Sequence, residues 1–250
     1  MEKNTEKIVS FGLIGKNIEY SFSRKYFTEK FEKQRLSHCK YSNFDLKDIS
    51  NFKDINLENI KGFNVTIPYK ESIIDYLDKL DANAAKIGAV NTIKVEDDYS
   101  LIGYNTDAYG FETSLIPLLE EYHTHALILG TGGASKAVAF VFNKLGISFK
   151  MVSRNPKNDS QIAYEEITKE VMDKHLIIVN CTPLGTYPDI KNRPNLPYSW
   201  ITHKHLFYDL IYNPEKTTFL SLAKANGAVI CNGLKMLELQ AEKSWKIWNA

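Results

Sequence analysis

The chain of 250 residues is 44% hydrophobic and 24% charged, with 31 lysines and arginines against 30 acids, enough apolar sequence for one large or two small domains. The charges are interspersed along the chain, which excludes a basic nucleic-acid-binding block, and no stretch approaches the roughly 18 apolar residues of a membrane span. Cys39, Cys181 and Cys231 lie far apart with no C-x-x-C pair, so neither a disulfide framework nor a zinc site is expected.

The start, MEKNTEKIVSFGLIG, is charged and lacks a long apolar segment, so the protein is expected to stay in the cytoplasm. Residues 8–14 alternate as a strand, 25–36 read as an amphipathic helix carrying Tyr26, Phe27 and Phe31, and 39–46 as a second strand. A strand over 62–67 ends at Pro68, and 70–80 is expected to be a helix with Ile73, Ile74 and Leu77 inward. Residues 90–95 and 101–104 flank the polar turn EDDYS as a hairpin. A helix over 107–119 follows, with Pro117 near its end.

Beyond it, Leu127, Ile128 and Leu129 read as a buried parallel strand and 134–145 as a helix, with 147–152 the next strand. Short apolar strands over 176–180, 206–210 and 228–231, with 214–225 helical, continue a doubly wound pattern. The segment 182–200 holds four prolines and follows a strand, where open α/β sheets place ligands. The last helix carries Leu234, Leu237, Ala241, Trp245 and Trp248 on one face, expected to pack back on the first domain. His123-x-His125 and His203-x-His205 have no Cys or carboxylate partners at useful spacing, so no metal is expected.

The junction LILGTGGASKAVA carries the strongest functional signal. Gly130, Gly132 and Gly133 permit a tight turn between strand and helix, and the backbone of Gly130, Thr131, Gly132, Gly133 and Ala134 suits a cradle for a dinucleotide pyrophosphate at a helix start, the alternative being an ordinary glycine turn that binds nothing. Ser135 occupies the third place of the usual G-x-G-x-x-G spacing. An NAD enzyme carries Asp or Glu at the second strand tip, about 20 residues on; here the tip reads Ser153, Arg154, Asn155, a guanidinium suited to a 2′-phosphate, which favours NADP. A second basic residue is available at Lys157.

Four polar clusters stand at strand ends or loops in the first half: Ser21 and Ser23; Asn64, Thr66 and Lys70; Asn91 and Thr92; and Asn105 to Asp107. Short hydroxyls and amides in fixed directions suit a small ligand bearing a carboxylate and hydroxyls. Each also has an ordinary use as a turn former or cap, and Asp107 is placed to cap its own helix.

In order along nearly the whole chain, GLIGKNIEYSFS, GFNVTIPYK, GAVNT and GYNTDAYG, then GTGGASKA, SRN, NCTPLGTYPD, YDLIYNPEKTTFL and NGLKMLELQ resemble the shikimate dehydrogenase family. The resemblance implies NADPH-dependent, reversible reduction of 3-dehydroshikimate to shikimate on the route to chorismate and aromatic amino acids, by a monomer or homodimer with no membrane or nucleic-acid partner. It implies a substrate-binding α/β domain of residues 1–106 and 232–250, a doubly wound, Rossmann-like NADP domain of residues 107–231, and a C-terminal helix returning to the first. Ser21, Ser23 and Thr66 would hold the substrate carboxylate, and Asn64, Asn91, Asp107 and Gln240 its hydroxyls. Lys70 would act at the reacting oxygen, with Asp107 its partner. Tyr212 and Gly233 would line the nicotinamide and substrate side, with Thr182 also beside the cofactor.

The chain departs from the family pattern at Asn17 and Arg24, where proline is usual, at Tyr20, where histidine is usual, and at Ser153, where asparagine is frequent. Two rival readings are an NAD-dependent quinate or shikimate dehydrogenase, which Arg154 opposes, and a catalytically silent NADP-binding regulator, which would be expected to lose Lys70 or Asp107.

Overall fold

The structure is a computed structural model that describes residues 7–19 and 21–250; residues 1–6 and Tyr20 lie outside the described residues. The chain forms two compact units, one running to Thr106 and taking up Ala241–Ala250 again at the end, the other Asp107–Gln240. The sequence expectation put the second boundary at residue 231; the contacts put it inside the last helix.

The first unit contains β1 (Val9–Gly15), α1 (Phe22–Lys33), β2 (Cys39–Asp45), β3 (Ile60–Val65), β4 (Lys79–Leu80), α2 (Ala82–Ile87), β5 (Thr92–Val95) and β6 (Leu101–Tyr104). The sheet order is β2-β1-β3-β5-β6-β4, with β1 parallel to both neighbours and β5 antiparallel to both of its own. Alternation along β1 explains the two-sided core. Phe11 and Leu13 pack with Phe27, Phe31 and Tyr41 on one face, while Ile14 joins Phe63, Val65 and Ile93 on the other.

The end of the last helix, α7 (Leu234–Trp248), completes the first of these faces. Trp248 lies 4.9 Å from Phe11 and 5.3 Å from Phe27 between ring centroids, and its indole N–H donates to the Ile93 carbonyl at 2.9 Å. A side chain at Gly62 would run into that indole, so the glycine is required by the approach of the helix. Lys30 donates to both oxygens of Glu242 at 2.7 and 2.9 Å, and the Tyr26 hydroxyl donates to the same carboxylate.

The second unit contains α3 (Asp107–Leu115), β7 (His125–Leu129), α4 (Gly133–Leu145), β8 (Ser148–Val152), β9 (Gln161–Ile162), α5 (Lys169–Lys174), β10 (Ile177–Asn180), β11 (Leu206–Asp209), α6 (Thr218–Ala225) and β12 (Val229–Cys231). All of its strand pairs are parallel, in the order β12-β11-β10-β7-β8-β9. Every residue of β10 and β11 is buried, the pattern of strands covered on both faces and the reason they read as unbroken apolar runs. The order reverses at β7, which has β8 on one side and β10 on the other.

Several expected boundaries shift for identifiable reasons. No α-helix spans 70–80: a single 3-10 segment covers Ser72–Tyr76, where the adjacent β-branched Ile73 and Ile74 disfavour a longer helix, and the tail is drawn into β4 against β6. Ile73 is fully buried, but Ile74 and Leu77 are only partly so. Helix α1 starts earlier than expected because Ser21 caps it, accepting from the Arg24 amide at 3.3 Å. Helix α6 starts later, at the cap supplied by Thr217. Helix α3 gives way at Pro117 to a 3-10 turn over Ile116–Leu118. Leu234, expected on the apolar face of the last helix, is exposed.

Truncating Trp248 to alanine should cost about 3–5 kcal/mol, the usual loss for a large buried aromatic. A shift of the denaturant midpoint of the first unit, followed by tryptophan-independent circular dichroism, measures it.

Candidate active site

In the first unit the polar clusters converge through the backbone. The strand end of β3 carries Asn64 and leads to Thr66, the Val65 amide donates to the Asn91 carbonyl at 2.9 Å, and the Val90 amide donates to the Lys70 carbonyl at 2.7 Å. Asn64, Thr66, Lys70 and Asn91 therefore belong to one rim. Asn64 and Asn91 are buried, whereas Thr66 and Lys70 are half-buried.

Behind that rim lies a chain of hydrogen bonds that the sequence did not reveal. Tyr41, in hydrogen-bond contact with Ser23, donates its hydroxyl to Asn64 Oδ1 at 2.8 Å, and Asn64 Nδ2 donates to Ser244 Oγ at 3.0 Å. Ser244 Oγ also lies 2.7 Å from Thr92 Oγ1 and 3.2 Å from Thr106 Oγ1, while the Thr106 amide donates to Asn91 Oδ1 at 2.6 Å. Burial pushes the Tyr41 hydroxyl far above its ordinary acidity range, so it stays protonated and can donate. Buried amides saturated in this way cannot flip, which fixes the direction in which Asn64 and Asn91 face the rim.

Asp107 and Gln240 fall in the second unit. Asp107 is buried at the start of α3, and a side chain at Gly110 would meet the Met236 carbonyl and the Gln240 backbone, so α3 and the first half of α7 pack tightly there. Tyr212 is half-buried and follows Ile211, whose amide donates to Asp209, while the Gly233 amide donates to the Ile211 carbonyl at 3.0 Å.

In the second unit the glycine turn lies where the strand order reverses, the position at which open parallel sheets bind ligands. Gly130 has φ +105, a conformation suited to glycine, and packs against Cys181 and the Thr182 methyl. Gly132 caps α4 without any side-chain hydrogen bond, and a side chain built there would meet nothing within 4 Å. A helix of 13 residues thus presents its first-turn amides and positive dipole end at an open glycine turn, which fits the pyrophosphate of a dinucleotide. The Ser135 hydroxyl turns inward, donating to the Gly132 carbonyl at 2.6 Å, which explains why a serine replaces the third glycine without blocking the turn.

At the tip of β8, Ser153 Oγ accepts from the Asn155 amide at 3.2 Å, and Arg154 and Lys157 are exposed. Tyr164 is close enough to Arg154 for the guanidinium to oppose the rise in its pKa that burial causes. These residues fit a 2′-phosphate, with no carboxylate at the tip to repel it. Thr182 borders the glycine turn, its amide and hydroxyl both donating to Asn180 Oδ1 at 3.0 and 2.7 Å. Among the described residues no group of His, Cys, Asp and Glu is arranged to hold a metal ion.

Sequence reading missed Tyr41, Ser244, Asn180 and Asp209, whose positions matter only through distant partners. Asp209 is fully buried at the end of β11, where burial pushes its pKa up to about 6 despite hydrogen bonds from Thr217, the Ile211 amide and Asn180. Its one sequence signal was an acid closing the apolar run LFYD.

Comparison with known proteins gives a consistent picture. The profile of the shikimate dehydrogenase substrate binding domain matches residues 13–93. A shikimate dehydrogenase (NADP(+)) of Clostridium botulinum is 40% identical over 249 residues, 95% of each chain. The crystal structure of shikimate dehydrogenase 1 from Peptoclostridium difficile superposes with a TM-score of 0.85 at 39% identity, covering 97% of this chain and 92% of that one. The shikimate 5-dehydrogenase of Thermus thermophilus, solved in complex with NADP(H) and shikimate, superposes with a TM-score of 0.84 at 29% identity, covering 96% and 93%.

Ser244→Ala should cost about 1–3 kcal/mol by leaving buried partners short of a hydrogen bond, read as a fall in the denaturant midpoint. Asp209 gives a pH signature of known sign. Its folded pKa of about 6 lies above the unfolded carboxyl value near ~3.9, so the folded state holds the proton more tightly and this group's contribution declines as pH rises from about 4 to about 6. Wild type should therefore gain stability relative to Asp209→Asn as pH falls through that window, measured by paired denaturant titrations.

Proposed function

The chain belongs to the shikimate dehydrogenase family, and from that membership we propose that it catalyses the NADP-dependent, reversible reduction of 3-dehydroshikimate to shikimate, supplying chorismate and the aromatic amino acids. It is an oxidoreductase acting on a secondary alcohol. The observation that carries this reading is the glycine turn at the reversal of strand order, where no side chain caps α4, with Arg154 at the adjacent strand tip.

Gly130, Thr131, Gly132, Gly133 and Ala134 hold the pyrophosphate through the backbone, while Ser153, Arg154 and Asn155 take the adenosine 2′-phosphate. Thr182 and Gly233 border the cofactor, and Tyr212 lines its nicotinamide side. NADPH, when bound, supplies the hydride taken up by the ring ketone.

Ser21, Ser23 and Thr66 hold the substrate carboxylate, and Asn64, Asn91, Asp107 and Gln240 its hydroxyls. The hydrogen bonds behind Ser23, Asn64 and Asn91 aim these groups before substrate arrives, which reduces the ordering cost of binding. As the ketone is reduced, negative charge builds on its oxygen. The Lys70 ammonium stabilises that charge and passes it a proton; in the oxidation direction the neutral amine takes the hydroxyl proton back. Asp107 accepts a hydrogen bond from a substrate hydroxyl and orients it. The enzyme works in the cytoplasm as a monomer or homodimer; among the described residues no helix is long and apolar enough to cross a membrane.

Loss of NADPH absorbance on adding 3-dehydroshikimate, against dehydroquinate and against NADH, tests the reaction and both cofactor alternatives. Lys70→Ala should lower kcat by roughly 10² to 10⁴ with a smaller change in KM; near-normal kcat with chemistry rate-limiting would remove the catalytic assignment. Arg154→Ala should weaken NADPH by about ten- to a hundredfold and leave NADH almost unchanged, since only NADPH carries the phosphate. Equal losses for both cofactors would refute the phosphate contact.

A further inference from the structure

We propose that Asn180 and Asp209 are positioning residues of the cofactor site, holding the turn at residues 180–182 against Gly130 and so fixing one wall of the dinucleotide cradle. This rests on the NADP reading of the glycine turn given above. The two residues end neighbouring parallel strands, β10 and β11, where Asn180 and Asp209 are register partners.

The directions of the hydrogen bonds carry the argument. Asp209 Oδ1 accepts from Asn180 Nδ2 at 3.0 Å and from the Ile211 amide at 3.1 Å, and Oδ2 accepts from the Thr217 hydroxyl at 2.6 Å. An ionised carboxylate only accepts, so it compels Asn180 to present its NH₂. The other end of that amide must then face the turn, where Oδ1 takes both the amide and the hydroxyl of Thr182. With an apolar residue at 209 the Asn180 amide could turn over and set its NH₂ against the Thr182 N–H, opening the turn.

What the turn supports is the glycine that begins the cradle. A Cβ at Gly130 would lie 3.2 Å from Thr182 Cγ2 and 3.5 Å from the Cys181 carbonyl carbon, so displacement of 181–182 changes the space available at that glycine. The Cys181 amide donates to the Leu129 carbonyl at 2.9 Å, tying the same segment to the end of β7. Thr217 adds a second tether, since it also caps α6 and accepts from the Leu220 amide at 3.3 Å.

The energetics point to the same use. Asp209 is fully buried, and its interactions include no cationic partner among the described residues. A buried acid without a counter-ion destabilises the fold relative to an apolar residue of similar size, and such groups gather at functional sites. Its raised pKa records that cost. Burial, with Asp209 nearby, also pushes the Cys181 thiol well above its usual range, leaving that side chain as a neutral wall.

The test is NADPH binding by nicotinamide fluorescence, with steady-state kinetics on soluble wild type, Asn180→Ala, Asn180→Ser and Asp209→Asn. Both Asn180 variants should raise the Kd and KM for NADPH about tenfold, with shikimate KM and kcat at saturating cofactor nearly unchanged. Asp209→Asn keeps an acceptor toward Asn180 and the Ile211 amide, so it should stay closer to wild type than either. A general loss of folded protein would instead lower apparent kcat and leave both KM values alone. NADPH affinity within about twofold of wild type in both Asn180 variants, or equal rises in the two KM values, would overturn the proposal while the function stood. A wild type that binds no NADPH would overturn both.

Discussion

The reversal of strand order at β7 is the constraint on which the nucleotide chemistry depends. With β8 leaving to one side and β10 to the other, the connections after β7 and β10 diverge at the carboxyl ends of these central strands, and a side chain built at Gly132 would meet nothing within 4 Å. A helix that starts in such a gap has amides with no neighbour in sequence to satisfy them, and glycine at the cap position leaves them for a ligand. The tight turn, the missing side chains and the helix start are thus one device, produced by topology and local sequence together.

The first unit solves a different problem, presenting short amides and hydroxyls to a small polar molecule without letting them turn. Its answer is depth. Tyr41, Asn64, Thr92, Thr106 and Ser244 come from separate stretches of chain and satisfy one another in the interior. Each hydroxyl can reverse its donor role, whereas the two asparagine amides have opposed ends, so the network as a whole admits few arrangements. Rigidity here comes from pairing polar groups in a low-dielectric interior.

Legibility in the sequence followed the range of the interactions involved. The parallel strands of the second unit were readable because burial on both faces leaves continuous apolar runs, and the glycine turn because its requirement is local. The same holds for β5 and β6, where the polar turn between them announced a hairpin later seen as an antiparallel pair. The misread helix over 70–80 had acceptable spacing of apolar residues, but its tail was claimed by β6, a partner more than twenty residues away. Short elements such as α2, α5 and β9 carry too few residues for a periodic signal, although Asp81 and Thr168 mark the two helix starts. Ser244 and Asp209 looked ordinary because a hydroxyl or carboxyl gains meaning only from what it meets, and the partners that define them lie far along the chain.

The return of Ala241–Ala250 to the first unit has a consequence for how the molecule is made. The indole of Trp248 fills the space cleared by Gly62 and seals one face of a sheet whose strands emerged from the ribosome much earlier. Until that last stretch arrives, Phe11, Phe27 and Tyr41 have no lid, and closing the unit requires the chain to bridge the whole of Asp107–Gln240. If the second unit is already folded, that bridge is short and stiff in place of a long flexible loop, and the entropy of closure falls accordingly. Without residues 241–250 the nascent chain exposes that aromatic face, and the order of synthesis favours the later-encoded unit as the first to become complete.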